Sequence, residues 1–317
     1  MLKRPDMKKV TVVGSLNIDH GLKVSTLPLR GETLISNGYD MSGGGKGANQ
    51  AIAIARLGIF VNMIGKVGGD IFGEILIKNL TESGVKMKGV IVDKSQRTGV
   101  AFITVDRDGA NTIVVAPGAN QRLTADDIRT KRSQILESDI VVLQMEIPTD
   151  TISYVISFAK KLGKLIILNY APAVNIDKNI LANVDYLVVN ETEFKYLTQT
   201  DFNFDDIDIS INRLREFFGN NLIITLGEKG SIFITPKDEI LKVPSYIVKS
   251  IDTTGAGDAF IGGFVFGIIT GKSVEESTKL GNASGSFSVT KLGAQSSLPY
   301  KKELYDFLKF YSEKTYT

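Results

Sequence analysis

Short apolar segments rich in valine and isoleucine alternate along the chain with longer segments in which apolar residues recur at helical spacing. The short segments are apolar at successive positions, which predicts strands covered on both faces, as in a parallel sheet between helices. They span residues 10–14, 61–65, 140–143, 165–168, 186–189 and 222–225. The predicted helices span residues 48–57, 72–82, 151–162, 191–198, 211–218, 259–270 and 274–289. The alternation predicts an α/β fold with a doubly wound, mainly parallel sheet flanked by helices.

Two regions depart from this alternation and have the pattern of β-hairpins. One pairs residues 22–27 with 33–39, and the other pairs residues 99–105 with 112–115. Because neither lies inside a βα repeat, both are expected to project from the main sheet as a small second sheet, at about residues 20–40 and 98–116. Such a sheet serves as a lid or a dimer surface, although a tolerated insertion has the same pattern. With no linker or repeat, residues 1–317 are predicted to form a single domain.

Composition excludes several classes of site and partner. The 37 basic and 35 acidic residues give a net charge of +2, which provides no charge excess for nucleic acid or an anionic membrane. The absence of cysteine excludes disulfides and thiolate metal sites, and the single histidine, His20, excludes any site that needs two. No apolar run approaches the ~20 residues of a membrane helix, and the start lacks a signal-type run. We therefore expect a cytoplasmic protein with a small-molecule partner.

The sequence DTTGAGDAF at residues 252–260 precedes a predicted helix and is the most informative segment. Its small residues let backbone approach a ligand, and free N–H groups at a helix start favour an anion such as phosphate. Asp258 lies where that anion site begins. An acid there suits a general base in phosphoryl transfer, which takes the proton from an attacking hydroxyl. The alternative is that Asp258 only caps the helix.

A second glycine-rich segment, GGGKGANQ at residues 43–50, opens another predicted helix. Gly47 follows the lysine where a P-loop needs serine or threonine, so the magnesium ligand of that motif is missing. Residues 36–42 are not a buried strand, which excludes a dinucleotide fingerprint. The segment suits a polar, hydroxyl-rich ligand, although a plain glycine turn is the alternative.

Polar side chains also follow several predicted strands, at the sheet edge where α/β proteins bind ligands. Asn17 and Asp19 follow the first strand at alternate positions, and Glu146 follows the strand ending at residue 143. A carboxylate with an amide can bind vicinal hydroxyls. Further along, NETE at residues 190–193 has the form of a capping box, or Glu193 could hold a water of a magnesium ion. The turn at residues 226–230 reaches the same edge and could line a nucleotide.

Taken together, these motifs resemble those of the ribokinase-like (PfkB) family of carbohydrate kinases. The resemblance runs through residues 14–20, 44–50, 190–193, 224–227, 252–258 and 293–295. It implies a central sheet flanked by helices with a small β lid. The implied reaction transfers the γ-phosphoryl group of ATP to a primary hydroxyl of a sugar, giving ribose 5-phosphate if the sugar is ribose.

The resemblance also implies roles for individual residues. Asp258 would be the base, and the anion hole would be Gly255, Ala256 and Gly257. The sugar would be held, together with Asp258, by Asn17, Asp19, Gly45, Lys46, Asn49 and Glu146. ATP would contact Asn190, Thr225, Gly227, Gly230, Gly257 and Asn282. Mg²⁺ would lie near Glu193 and be held through water, and K⁺ would be held by Asp252, Thr254, Ser288, Lys291, Gly293 and Ser297, several through main-chain carbonyls.

Other functions stay open at this stage. A kinase of the same family for another sugar, such as fructose, or for a nucleoside would carry the same motifs, and so would a sugar- or nucleotide-binding protein that has lost catalysis. We also expect a homodimer formed through the lid. Two features depart from the family pattern: Tyr170 occupies a position where proline is common, and residues 1–8 extend beyond the usual start as a predicted tail.

Overall fold

The structure is a computed structural model that describes residues 8–204 and 206–314. Its strands are β1 (Lys9–Val13), β2 (Asn17–Lys23), β3 (Gly38–Gly44), β4 (Phe60–Gly68), β5 (Lys86–Asp93), β6 (Gly99–Val105), β7 (Asn111–Ala116), β8 (Ile140–Leu143), β9 (Leu165–Asn169), β10 (Tyr186–Asn190), β11 (Asn221–Thr225), β12 (Ser231–Ile234) and β13 (Ile240–Val243). Its helices are α1 (Lys46–Arg56), α2 (Ile71–Glu82), α3 (Ala125–Thr130), α4 (Arg132–Glu137), α5 (Thr149–Lys161), α6 (Lys178–Leu181), α7 (Glu191–Thr198), α8 (Ile207–Arg215), α9 (Ala256–Ile269), α10 (Val274–Ser288), α11 (Ala294–Ser297) and α12 (Lys301–Lys314). The predicted α/β fold is confirmed.

The main sheet has the strand order β13-β12-β11-β10-β9-β8-β1-β4-β5. The strands from β11 to β5 all pair in parallel, whereas β12 and β13 add antiparallel at one edge. The chain winds outward from β1 in both directions, through β4 on one side and β8 on the other. In open α/β sheets a ligand crevice forms at the carboxyl ends of the strands where the winding reverses, which is beside β1 and β8 here.

Both faces of the main sheet are buried. Successive residues of one strand enter different apolar clusters, as Val12 and Val13 of β1 do. Ile52 of α1 and Phe264 of α9 pack in the cluster of Val12, and Ile156 of α5 packs in that of Val13. Burial on both sides explains why these strands are apolar at consecutive positions.

The small sheet has the order β3-β2-β6-β7 and forms the predicted lid. The hairpin of β6 and β7 is confirmed. The first hairpin was predicted at the wrong position, because its strands are β2 and β3 and residues 24–37 connect them. The ladder begins where Asn17 is opposite both Gly44 and Gly99, among polar and glycine residues that an apolar pattern does not mark as a strand.

Smaller differences from prediction also have local causes. The helix predicted at residues 211–218 begins earlier, at Ile207, because the Asp206 side chain accepts a hydrogen bond from Ile209 N at 3.1 Å and caps it. Strand β5 was not predicted, since it is a partly exposed edge strand that carries Lys86 and Lys88. No helix in the described ranges is long and apolar enough to cross a membrane. The predicted tail lies outside the described residues, apart from residue 8.

Candidate active site

Asp258 lies in the first turn of α9, and its carboxylate is buried against α1. Asn49 Nδ2 donates to its Oδ2 at 2.9 Å, and Gln50 Nε2 donates to its Oδ1 at 2.9 Å. Burial raises the pKa of Asp258 by more than Lys46 and the two amide donors lower it. The residue at the cap position of α9 is Gly255, and no side chain caps this end. The interpretation of Asp258 as a helix cap is therefore wrong.

The uncapped N-terminus of α9 faces a cleft. Gly255 has a φ of +78°, which glycine adopts without strain. A Cβ at this position would lie 3.0 Å from Ala294 Cα, so the close packing of the turn on the following segment also requires glycine. The unpaired N–H groups of a first helical turn, together with the helix dipole, favour an anion at such an end.

The cleft has a volume of about 200 Å³ and lies between the starts of α1 and α9 and the carboxyl ends of β10 and β11. It is lined by Lys46, Asn169, Ala171, Val188, Val189, Asn190, Glu193, Thr225, Thr253, Gly255, Ala256, Gly257 and Asp258. The charged side chains in this lining are Lys46, Glu193 and Asp258, and the lining contains no aromatic side chain. The cleft therefore brings together the predicted base, the predicted anion hole, Lys46 of the sugar set and part of the nucleotide set. The other residues predicted for the sugar do not line it: Asn17, Asp19, Gly45, Asn49 and Glu146.

Asn17 and Asp19 lie in β2 at the root of the lid, where strand alternation places both side chains on one face. Burial, followed by the charges of Glu146 and Asp258, raises the pKa of Asp19 to about 7, although Lys46 lowers it. Among the hydrogen bonds of the described residues, none involves the Asp19 carboxylate. This carboxylate is therefore available to accept hydrogen bonds from a ligand.

Glu146 follows β8 and reaches the start of α1. Its Oε2 accepts hydrogen bonds from Ser15 Oγ and, at 3.0 Å, from Lys46 N. Burial lowers the pKa of the Lys46 side chain, but nearby carboxylates, with Asp258 first and Glu146 second, raise it above its usual value. Lys46 therefore stays protonated and partly balances the acids that surround it.

Gly45 joins β3 to α1 in a conformation that requires glycine. Its φ is +84°, and a Cβ there would lie 2.7 Å from Asn17 N. The close approach holds the root of β2 against the start of α1, so that Asn17 lies beside the helix that carries Lys46 and Asn49. The glycine loop therefore has a packing role, whichever ligand it faces.

The Asn190–Glu193 capping box is confirmed at the start of α7. Glu193 N donates to Asn190 Oδ1 at 2.8 Å, and Asn190 N donates to Glu193 Oε2 at 2.7 Å. Glu193 also lines the cleft, and burial raises its pKa despite these bonds. Asn190 is paired in register with Thr225 on β11, which lines the same cleft. Capping thus uses one oxygen of Glu193 and leaves the other for a ligand.

The remaining residues predicted for the nucleotide lie beyond the cleft lining, around the turn after β11. Gly227 and Gly230 have φ values of +56° and +92°, and a Cβ at Gly230 would lie 2.2 Å from Val243 O. The Asn282 amide donates to Val243 O at 2.9 Å and accepts from Ser231 Oγ at 3.0 Å. Asn282 therefore ties α10 to β12 and β13.

The segments predicted to hold a monovalent cation come together beside the anion hole. Asp252 Oδ1 accepts from Thr254 N at 2.9 Å, and its Oδ2 accepts from Gly293 N at 2.8 Å. Burial alone would raise the pKa of Asp252. The hydrogen bonds from Thr254 and Gly293 favour the ionised form, and the pKa lies below its usual value. The Asp252 carboxylate thus joins the two segments, and its hydrogen bonds favour the ionised form.

The other predicted cation ligands contribute only oxygen atoms. Ser288 Oγ donates to Gly285 O at 2.8 Å and Ser297 Oγ donates to Ala294 O at 2.9 Å, which leaves both hydroxyl oxygens able to accept. The Lys291 ammonium pairs with Glu303 at 2.9 Å, so its main-chain carbonyl is the group suited to a cation. An oxygen-only donor set fits a hard cation such as K⁺.

The residues predicted to lie near Mg²⁺ offer fewer protein ligands than the predicted K⁺ site. The described residues contain no group of three or more Asp, Glu, His or Cys side chains that could hold a metal ion. Mg²⁺ commonly binds through one or two carboxylates together with waters and substrate phosphates. The second oxygen of Glu193, in the cleft wall, fits that mode of binding.

Buried amides that the sequence analysis did not single out hold the predicted residues in place. Asn120 Nδ2 donates to Asn17 Oδ1 at 2.7 Å, and its Oδ1 accepts from Leu16 N at 2.9 Å. Gln295 Nε2 donates to Asn49 Oδ1 at 3.1 Å. Because the oxygens of Asn17 and Asn49 already accept hydrogen bonds, other partners are left with the N–H groups of Asn17 and with the second N–H of Asn49, whose first donates to Asp258. Asn120 and Gln295 both stand in polar, glycine-containing stretches, so no local sequence signal marks them as buried.

Two other residues from the sequence analysis, His20 and Tyr170, do not line the cleft. The His20 ring stacks on Tyr39 and Phe102, and its Nδ1 lies 2.8 Å from Tyr39 Oη. Tyr170 is buried in the core, where burial raises its pKa to about 12, and its hydroxyl donates to Val174 O. The departure at Tyr170 is therefore accommodated by core packing.

Comparisons with known proteins agree with this geometry. Residues 7–301 match the family model described as pfkB family carbohydrate kinase. The chain is 37% identical to a ribokinase of Haemophilus influenzae over 95% of its length and 99% of the relative, and 36% identical to a deoxyribokinase of Salmonella typhi over 94% and 98%. The structure of Arabidopsis thaliana ribokinase complexed with ribose and ATP superimposes with a TM-score of 0.86 at 30% identity, covering 95% of this chain and 99% of that one.

Proposed function

The chain belongs to the pfkB family of carbohydrate kinases, and we propose that it transfers the γ-phosphoryl group of ATP to O5 of D-ribose. It is an ATP-dependent sugar kinase, and the products of the proposed reaction are ribose 5-phosphate and ADP. The observation that carries the proposal is the buried Asp258 carboxylate, held by two amides beside an uncapped helix N-terminus.

Asp258 acts as the general base in this reaction. It takes the proton from the O5 hydroxyl as that oxygen attacks the γ-phosphorus atom, and the bond from phosphorus to the bridging oxygen of ADP breaks. Gly255, Ala256 and Gly257 supply N–H groups that stabilise the charge on the transferred group. Alignment and charge neutralisation supply most of the barrier reduction in phosphoryl transfer.

The sugar site is formed by polar groups at the root of the lid and the start of α1. We assign it to Asn17, Asp19, Gly45, Lys46, Asn49 and Glu146, together with Asp258. Asp19 offers a carboxylate free to accept hydroxyl protons, and Asn17 and Asn49 offer N–H donors. Alternating acceptors and donors suit the vicinal hydroxyls of a sugar.

The nucleotide occupies the opposite side of the cleft. Asn190, Thr225, Gly227, Gly230, Gly257 and Asn282 are assigned to it. Glu193 would hold Mg²⁺ through water, and this ion supplies charge neutralisation on the phosphates when bound. Asp252, Thr254, Ser288, Lys291, Gly293 and Ser297 would hold K⁺. Because Gly255 packs on Ala294, these segments also fix the shape of the anion hole.

A substrate panel tests the proposed function. ADP release is measured with ATP, Mg²⁺ and K⁺ against ribose, 2-deoxyribose, fructose and adenosine. We expect the highest kcat/KM for ribose. Faster turnover of another member of the panel would identify a different kinase, and tight binding of sugar or nucleotide without ADP release would identify a binding protein that has lost catalysis.

We expect K⁺ to raise the rate of ADP release relative to tetramethylammonium at equal ionic strength. The physical reason is that a bound cation neutralises the Asp252 carboxylate and fixes the 288–297 segment against Gly255. Asp252→Asn weakens such a site and is expected to reduce the K⁺ effect. Equal rates in the two salts would contradict the assigned cation site.

The pKa of about 7 for Asp19 predicts pH-dependent sugar binding. Below pH 7 the carboxyl group is mostly neutral, and above it the carboxylate accepts stronger, charge-assisted hydrogen bonds. The Kd for ribose, measured by titration calorimetry, is therefore expected to fall about 10-fold from pH 6 to pH 8. Asp19→Asn should bind more weakly and lose this pH dependence. The same pH midpoint in that variant would show that another group titrates.

We also propose that the lid forms a homodimer. Strand β7 is the edge of the small sheet, and Ile113, Val114 and Val115 on it are 56%, 67% and 45% exposed. An apolar edge strand with unpaired backbone groups is a surface for pairing with another chain. We expect light scattering to give twice the chain mass for the unmodified protein and the monomer mass for Val114→Glu. Ile247→Glu, at a position 93% exposed outside the lid, is the control and should stay dimeric. A monomeric unmodified protein would contradict the proposal.

A further inference from the structure

Two buried glutamines form a hydrogen-bonded chain that ends on Asp258. Gln144 Nε2 donates to Gln50 Oε1 at 2.7 Å, and Gln50 Nε2 donates to Asp258 Oδ1 at 2.9 Å. Both glutamine side chains are fully buried. They come from different elements, since Gln50 lies on α1 and Gln144 follows β8. Neither has a role in the reaction assigned above.

The chain permits only one orientation of the Gln50 amide. With Gln144 donating to its oxygen, Gln50 presents its N–H group to the Asp258 carboxylate. The flipped amide would place its oxygen against that carboxylate and its N–H group against the N–H group of Gln144. Both contacts would be repulsive, so Gln144 fixes which group faces Asp258.

Gln144 holds its own position at a cost in folding stability. Its Oε1 is buried and has no hydrogen-bond partner among the described residues. A Cβ at Gly14 would lie 1.9 Å from this oxygen, so the side chain fits only because glycine is there. A buried acceptor without a partner destabilises a fold and calls for an explanation beyond stability.

The electrostatic surroundings of Asp258 explain what the donors achieve. Lys46 on α1 favours its ionised form, whereas burial and Glu146 favour the neutral acid. Asp19 of β2 also interacts with Asp258, and Glu193 of α7 acts on the same Lys46. A neutral acid cannot accept the proton of a sugar hydroxyl. One amide donates to each carboxylate oxygen, and these two hydrogen bonds oppose the rise in pKa that burial causes. They also fix the orientation of the carboxylate and so of its remaining lone pairs.

We propose that Gln50 and Gln144 are positioning residues for phosphoryl transfer: Gln50 holds the base as an oriented carboxylate, and Gln144 holds Gln50 in the orientation that does so. This inference rests on the proposed function. A parallel chain runs from Gln295 through Asn49 to the other oxygen of Asp258. Because Asn49 is also assigned to the sugar and Gln295 lies in the assigned cation segment, the Gln50–Gln144 chain is the one that tests positioning separately.

The first test replaces Gln144 by methionine, which has similar volume and no donor. Gln144→Met is expected to lower kcat about 5- to 20-fold and to move the acid limb of the kcat–pH profile about one unit to higher pH. The reason is that Gln50, no longer oriented by Gln144, donates to Asp258 only part of the time. The KM for ribose should change less than about 2-fold, since the side-chain hydrogen bond of Gln144 goes to Gln50 and not to a residue assigned to the sugar. An unmoved acid limb, or a change confined to KM, would overturn the proposal.

A double-mutant cycle tests whether Gln144 acts through Gln50. Gln50→Met should lower kcat at least as much as Gln144→Met, and the double variant should be no slower than Gln50→Met alone. If the kcat losses of the two single variants multiplied in the double variant, Gln144 would act independently of Gln50, and the proposal would be overturned. Gln134→Met provides the control, since this buried glutamine on α4 is remote from the site and should leave kcat and its pH profile unchanged.

A second variant applies if Gln144→Met fails to fold, as shown by its circular dichroism. Gln144→Glu keeps the shape, and its neutral carboxyl group can still donate to Gln50 Oε1. Its kcat should approach that of the unmodified protein at low pH and fall as the introduced acid ionises, giving a basic limb that is new. A profile identical to that of the unmodified protein would overturn the proposal. No sugar kinase activity in the unmodified protein would instead contradict the proposed function.

Discussion

Asp258→Asn is expected to lower kcat for ribose phosphorylation at least about 100-fold, the range measured when a general base is lost. An amide has no basic oxygen for the O5 proton, and its N–H group would face the N–H group of Asn49 or Gln50. Nucleotide affinity should change little, because Asn190 and Thr225, which we assign to the nucleotide, lie at the ends of β10 and β11 and not on α9. Initial rates of ADP release at saturating ribose and ATP, with ADP affinity from calorimetry, provide the measurement.

The control separates the chemistry of Asp258 from its position in a helix. Asp127 occupies the equivalent third position of α3, so Asp127→Asn removes the same charge from a first helical turn. That change also weakens the ion pair with Lys66 at 2.6 Å, so stability should fall while kcat stays unchanged. Unchanged turnover in Asp258→Asn would remove Asp258 from the mechanism. If both variants lost the same turnover, the cause would be the removal of a negative charge from a first helical turn rather than the loss of a base.

The sequence predicts the central strands of the main sheet well because both of their faces are buried against apolar side chains. Residues such as Val12 and Val13 are buried on opposite faces, which produces the continuous apolar pattern from which the strands were predicted. The same pattern fails for β2, where Asn17 and Asp19, which we assign to the sugar, stand in place of apolar residues. Because these polar residues interrupt the apolar pattern, the strand was not recognised and the first hairpin was predicted too far along the chain.

Contacts between distant parts of the chain explain which site residues escaped prediction. The glycine-rich segments and Asp258 are visible because each is a local motif. By contrast, Gln144 and Gln50 are separated by 94 positions, and Gln50 and Asp258 by 208. No local pattern links such residues, because their hydrogen bonds exist only once β8, α1 and α9 are assembled. The sequence likewise left open whether Asp258 caps α9, because its carboxylate accepts hydrogen bonds from Asn49 and Gln50 of α1 instead.

Gly45→Ala is expected to lower kcat/KM for ribose at least about 100-fold without touching the base. The added Cβ would lie 2.7 Å from Asn17 N, so the root of β2 must move away from α1 and Asn17 and Asp19 must separate from Asn49. The φ of +84° adds backbone strain of about 1–3 kcal/mol for a residue other than glycine. Misplaced binding groups lower the rate steeply, because phosphoryl transfer depends on alignment. Rates are normalised to folded protein, measured by circular dichroism.

The matched control for Gly45 lies in the lid itself. Gly109 has nearly the same φ, +85°, but no atom lies within 4 Å of the position its Cβ would take. Gly109→Ala therefore introduces the backbone strain without the collision, and its kcat/KM should stay within about 3-fold of the unmodified protein, as expected for a surface change away from the site. ADP affinity should be preserved in both variants, because Asn190 and Thr225, which we assign to the nucleotide, lie on β10 and β11. If Gly45→Ala kept full activity, Asn17 and Asp19 would not need their contact with the start of α1, and the assignment of the sugar site to the junction of lid and helix would be wrong.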